Sequence, residues 1–162
     1  MRKNGVQKQA LLSIVLLIVL IFAGAVVRVT GSGLGCPDWP TCWGELVPPT
    51  SIEQVDEAYL EKKLPRFKKS AERFGRDPDE ITVERLLEEY DPVQTWIEFI
   101  NRLLALPVLL ANFLLMIACL RSRIMPKLGV SAFALVIISA LTGIVVVASG
   151  LRSGVVTIHM AL

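Results

Sequence analysis

The hydrophobic positions fall into apolar runs separated by one long polar stretch. Ala10–Val29, Trp96–Leu120 and Leu128–Ser149 are almost uninterrupted. Each is about 20 residues or more, enough at ~1.5 Å per residue to cross a hydrocarbon core of about 30 Å. A fourth run begins near Val155 and reaches Leu162 after eight residues, a rise of only about 12 Å. The pattern predicts an all-α membrane protein, a four-helix bundle with its fourth helix truncated, and spans over 10–29, 96–120, 128–149 and 155–162. A span that stops inside its apolar pattern leaves carbonyls without partners at membrane depth. The 162 residues are therefore expected to be a fragment of a longer protein. Pro107 is expected to kink the second span.

The polar stretch, residues 30–95, divides in two. Thr30–Thr50 is rich in Gly, Pro and Trp, which predicts an irregular but ordered loop with Trp39 and Trp43 held at the membrane interface. Ser51–Tyr90 is charged and helical: Ser51–Phe74 carries a helical period broken at Pro65, and Asp79–Tyr90 opens with acids before Ile81, Leu86 and Leu87. Its mixed-sign charge predicts a solvated cap over the bundle, with partner docking as the alternative. Arg2, Lys3 and Lys8 precede the first span, and Arg121, Arg123 and Lys127 separate the second from the third. The positive-inside rule puts both groups, and the N-terminus, in the cytoplasm and the 30–95 loop outside. The first run is too long for a signal-peptide core of about 7–15 residues, so it reads as a retained span.

Composition fits this class. Hydrophobic residues make up 53% of the chain and the net charge is +2, with a mean hydropathy of +0.57. The chain is too apolar for an ordinary soluble domain, and no nucleic-acid partner is implied.

The candidate chemistry is polar and sparse. Glu98, Asn101 and Arg102 share one face of the second span at i, i+3 and i+4, with Asn112 deeper on the same stripe. Ionisable groups at such depth mark a functional site or a local ion pair. His159, the single histidine, is expected at a depth similar to Glu98. In a bilayer a lone histidine suits metal ligation or proton transfer as well as packing. A helical bundle can enclose a haem with histidine on the iron and a cation such as Arg28, Arg102 or Arg152 on a propionate. Cys36 and Cys42 lie six apart around Pro-Asp-Trp-Pro-Thr. A structural disulfide clamping the loop is the preferred reading, and a redox-active pair its competitor. Cys119 reads as a buried thiol. Small residues of the third span, Ala140, Gly143, Ala148 and Ser149, permit close packing, and Ser139 and Thr142 offer hydrogen bonds across it.

At these residues the chain resembles the haem A synthase family. The match is carried by Val27-Arg28-Val29-Thr30-Gly31-Ser32-Gly33-Leu34 with Cys36-Pro37-Asp38-Trp39-Pro40-Thr41-Cys42-Trp43-Gly44, by Trp96-Ile97-Glu98-Phe99-Ile100-Asn101-Arg102-Leu103, by the span containing Gly143, and by Val156-Thr157-Ile158-His159-Met160-Ala161-Leu162. Ser51–Tyr90 lies outside it. The resemblance implies the N-terminal half of an eight-helix bundle in the bacterial cytoplasmic (inner) membrane. It implies oxygen-dependent oxidation of the haem O ring methyl to a formyl group, by successive hydroxylation and loss of water. Glu98 would be the essential acid, His159 an axial ligand to the substrate haem, and Cys36–Cys42 the clamp on a lid or a route for electrons. Haem b would belong to the missing C-terminal half. The implied partners are lipid, haem O, that half or an oligomer partner, and haem O synthase or terminal-oxidase assembly factors. One departure stands out: Asn101 occupies the place of the family's histidine. Asparagine is a poor iron ligand, which leaves His159 as the iron's protein ligand and Asn101 as a hydrogen-bond donor to a bound water or oxygen species. Two other readings are a thiol–quinone oxidoreductase using Cys36 and Cys42, and a non-enzymatic haem-binding assembly subunit.

Overall fold

The computed structural model describes residues 2–162, with side chains from Asn4 onward. The Arg2 and Lys3 charges invoked for orientation lie outside the described side chains. Six α-helices occur among the described residues: α1 (Arg2–Val29), α2 (Glu57–Arg73), α3 (Val83–Glu88), α4 (Pro92–Ser122), α5 (Pro126–Ala148) and α6 (Ser153–Ala161). Short 3₁₀ turns occupy Ser32–Leu34, Ile52–Gln54 and Pro78–Glu80. Three of the helices are long and apolar enough to cross a membrane: Asn4–Val29, Pro92–Ser122 and Pro126–Ala148. The all-α membrane class read from the apolar runs therefore holds.

Among the elements that differ from expectation, two have a local reason. The second span starts at Pro92, ahead of the apolar run at Trp96. Asp91 caps it by accepting from the Val93 and Gln94 amides at 2.7 and 3.1 Å, and Pro92 supplies a preset φ where no amide donor is needed. The cap helix α2 is not broken at Pro65 but runs through it. The ring deprives the Glu61 carbonyl of its helical donor. Both residues are exposed, so water can take that place.

Packing follows the order α1, α4, α5, α6: α4 lies against α1 and α5, and α6 lies against α5. Gly129 allows the α4–α5 approach, since a Cβ there would meet the Cys119 Cβ at 2.8 Å. Cys119 itself is a buried free thiol. On α1, Gln9 reaches across to donate to the Ala111 carbonyl at 3.0 Å. The flanks of the spans carry exposed Leu, Ile, Val and Phe, among them Ile21 and Phe22 at 70% and 71%. Such surfaces are stable only against hydrocarbon or another apolar helix.

A compact core lies in the loop region. Cys36, Cys42, Trp43, Val55 and Leu60 are buried together, with Tyr59, Phe67, Val83, Leu86, Leu87, Tyr90 and Phe99 packed around them. The cap helices thus close over the Gly/Pro-rich loop as well as facing water. α2 is fastened to the end of α5 by Ser70, whose hydroxyl donates to the Ala148 carbonyl at 2.8 Å. The Tyr90 hydroxyl donates to the Pro49 carbonyl at 3.0 Å and ties the start of α4 to the loop.

Candidate functional site

The loop after α1 is built inward from Asp38. Its carboxylate accepts from the Trp43 amide at 2.7 Å, the Gly44 amide at 3.2 Å, the Tyr59 hydroxyl at 3.0 Å and the Thr41 hydroxyl. Asp38 is nearly buried, 8% exposed, so these donors replace the water its charge has lost. They also fix a tight left-handed turn, Trp43 at φ 58° and Gly44 at φ 89°, where a β-carbon is unfavourable and only specific bonding holds a tryptophan. Burial pushes the Tyr59 hydroxyl above its ordinary pKa, and the bond to Asp38 and its charge add to the rise against a lowering bond from Thr41. Tyr59 accordingly stays a donor to Asp38 at neutral pH. The disulfide Cys36–Cys42 closes the loop around this centre.

The loop rests directly on α4. Trp43 Nε1 donates to the Gly35 carbonyl at 2.7 Å and to Thr95 Oγ1 at 3.2 Å, and the Thr95 hydroxyl donates to the same Gly35 carbonyl at 2.8 Å. A Cβ on Gly35 would lie 2.6 Å from the Gln94 carbonyl carbon and oxygen, both backbone atoms that cannot yield. Gly35→Ala is therefore expected to lift the loop and cost about 1–3 kcal/mol. Gly33→Ala makes the control, because the Cβ there meets only the end of the Leu151 side chain. Thermal unfolding in detergent should lower the midpoint clearly for Gly35→Ala and little for Gly33→Ala; equal midpoints would mean that contact with α4 does not hold the loop.

Beneath the loop lie Glu98 and Arg102. Glu98 is 3% exposed. One carboxylate oxygen accepts the Cys36 amide at 2.9 Å and the other is ion-paired with Arg102. The guanidinium spreads its remaining donors over the Asp38, Thr41 and Cys36 carbonyls at 2.7, 3.2 and 3.1 Å. Those bonds nearly exhaust its fork. The i, i+4 pair is thus more than a local one: its two charges grip three points of the disulfide loop. Cys36 is held by both partners, its amide on Glu98 and its carbonyl on Arg102.

The other sequence candidates lie apart from this clamp. Asn101 turns its Oδ1 toward Gly24 of α1, buried and without a hydrogen-bond partner, and Trp96 Nε1 on the same helix is likewise unpartnered. Buried polar atoms left open in this way are what a bound water or ligand satisfies. Asn112 lies deeper, bonded through Nδ2 to the Val108 carbonyl at 2.9 Å. Arg28, at the end of α1, is exposed and has no ion pair among the described residues. Arg152 caps α6 from an exposed position.

His159 is half-buried between α6 and α5. Its ring lies over Gly143, where a Cβ would come within 3.3 Å of Cε1. Its Nδ1 is 3.0 Å from the Thr142 hydroxyl, which itself donates to the Ser139 carbonyl at 2.9 Å. With that hydroxyl hydrogen so engaged, Thr142 accepts from Nδ1–H, and a neutral ring carries its lone pair on Nε2. A histidine oriented through one nitrogen and open at the other is the arrangement found in metal ligands. No hydrogen bond joins His159 to the Glu98–Arg102 pair among the described residues.

Sequence reasoning missed Asp38, Thr95 and Tyr59. The signal for Asp38 lay in its setting: an aspartate among Pro, Gly and Trp accepts backbone amides and organises turns. Thr95 and Tyr59 carry no such local mark, since their partners lie about 60 and 20 residues away.

A family model described as "Cytochrome oxidase assembly protein" matches residues 7–162. The protein named "Heme A synthase" of Shewanella oneidensis is 27% identical over 116 residues, which cover 72% of this chain and 28% of that protein. The chain thus spans little more than a quarter of that relative's length. No solved structure matches it. With the family model covering residues 7–162, the chain belongs to the cytochrome oxidase assembly protein family, the haem A synthase family whose loop and span motifs it carries.

Proposed function

We propose that this chain forms the N-terminal half of a haem A synthase, with haem O as substrate and oxygen-dependent oxidation of its ring methyl to a formyl group as reaction. The observation that carries the reading is the buried Glu98, held under a disulfide loop by an amide and a guanidinium. Family membership supplies the substrate class.

The residues fit a haem. His159 offers Nε2 to the iron, with Thr142 fixing its ring; Gly143 leaves the space the ring needs. Bound haem O supplies the oxygen-activating iron. This chain's own groups hold and orient: Arg28, free at the end of α1, pairs a propionate, while Asn101 accepts from a bound water through its unpartnered Oδ1. Arg102 orders the lid rather than meeting a propionate, because its donors are taken by the loop. Glu98 holds or moves a proton where the lid meets α4. Haem b belongs to the C-terminal half. Orientation follows the basic residues, with the N-terminus in the cytoplasm and the loop outside a bacterial cytoplasmic membrane. The candidate partners are haem O synthase and terminal-oxidase assembly factors.

Burial of the disulfide favours this over a thiol–quinone oxidoreductase. Cys36 and Cys42 are 0% and 1% exposed beneath the cap, where no partner thiol or quinone can reach the sulfurs without opening it. His159→Ala in the protein that carries this sequence is expected to remove the Soret band acquired with haem O while leaving thermal stability almost unchanged. Full haem retention by the variant would reduce His159 to a packing role.

A further inference from the structure

A cleft opens between the cap and the end of α5, away from His159; Asp38 and Thr41, whose carbonyls Arg102 grips, line it too. Its volume is about 400 Å³. Its floor is Ile144, Val147 and Ala148, the last turns of a membrane-length helix. Phe67 of α2 lines one side and Trp39 of the loop the other. Trp39 is 48% exposed, the amphipathic placement that marks a membrane–water boundary. Above this apolar floor stand Lys63 and Arg66 of α2, neither of them in an ion pair among the described residues. Lys63 Nζ lies 5.5 Å from the Tyr59 ring centroid.

The other titratable groups in the cleft are Asp38 and Tyr59. Asp38 already accepts bonds from Thr41, Trp43, Gly44 and Tyr59. Two cations against one inward-turned carboxylate leave the cleft a surplus of about one positive charge, enough to attract a single phosphodiester. We propose that the cleft binds an anionic phospholipid from the leaflet on the loop side, its phosphate on Lys63 and Arg66 and its first methylenes on the α5 floor and Phe67. A free phosphate would use the cations and leave that floor wet. A lipid already present at this boundary covers both.

The test uses delipidated protein in detergent, incubated with micelles doped with phosphatidylglycerol or, separately, phosphatidylcholine of the same chains, with bound phospholipid counted after gel filtration. Phosphatidylglycerol is expected to be retained over phosphatidylcholine. Lys63→Ala with Arg66→Ala should weaken its binding about 30-fold, and Lys63→Arg with Arg66→Lys should restore it. Haem content by absorption should be unchanged in both variants. Equal retention of the two lipids, binding unaffected by the double alanine variant, or complete displacement by millimolar inorganic phosphate would each overturn the lipid site. Loss of haem along with lipid would also overturn it, assigning the cations to haem carboxylates.

Discussion

Arg102→Met is expected to destabilise the protein by about 3–5 kcal/mol, the cost of stripping the partner from a buried charge. The side chains of Arg102 and Glu98 are 16% and 4% exposed, so water cannot replace the guanidinium well. The substitution preserves much of the volume but leaves Glu98 with the Cys36 amide alone. It also takes the donor from the Cys36, Asp38 and Thr41 carbonyls. The unfolding midpoint in detergent should fall sharply, and a mild reductant should open the disulfide faster, because the loop no longer sits on α4. Arg102→Lys should lie between, keeping the charge but losing the planar fork that reaches several carbonyls at once. Combining Arg102→Met with Glu98→Gln should recover part of the loss, since no unpaired charge then remains. A midpoint and reduction rate like those of the parent protein would show that the pair does not hold the loop.

The membrane-length helices and the Glu98–Arg102 pair were legible in the sequence because both depend on spacing along one helix. Apolar run length decides spans, and i, i+4 places two side chains on one face. What the pair grips was not legible. Its partners, Cys36, Asp38 and Thr41, lie some 60 residues upstream in an irregular loop with no period to read. For the same reason Arg102 looked like a free cation for a propionate, whereas its donors are spent on loop carbonyls. The break expected at Pro65 did not occur: α2 runs through it, and water can take the place of the donor missing at the exposed Glu61 carbonyl. The motif around Cys36 and Cys42 did carry family information, and the family match over residues 7–162 agrees with it.

The clamp bonds Glu98 to the Cys36 amide, and the proposed function adds a second duty, holding or moving a proton. Glu98→Gln separates them. The amide side chain keeps the size and an acceptor for the Cys36 amide; Arg102 loses its ion pair but retains its three loop carbonyls, so the loop should loosen less than in Arg102→Met. On the proposed function, proton transfer by the carboxylate would be lost, which for a general acid or base amounts to about 10²–10⁴-fold in rate. The most direct measurement is the ratio of haem A to haem O extracted from membranes that contain the protein carrying this sequence and a supply of haem O. The parent protein is predicted to accumulate haem A, while Glu98→Gln retains bound haem O and forms almost none. Haem A at the parent level in the Glu98→Gln membranes would contradict the account.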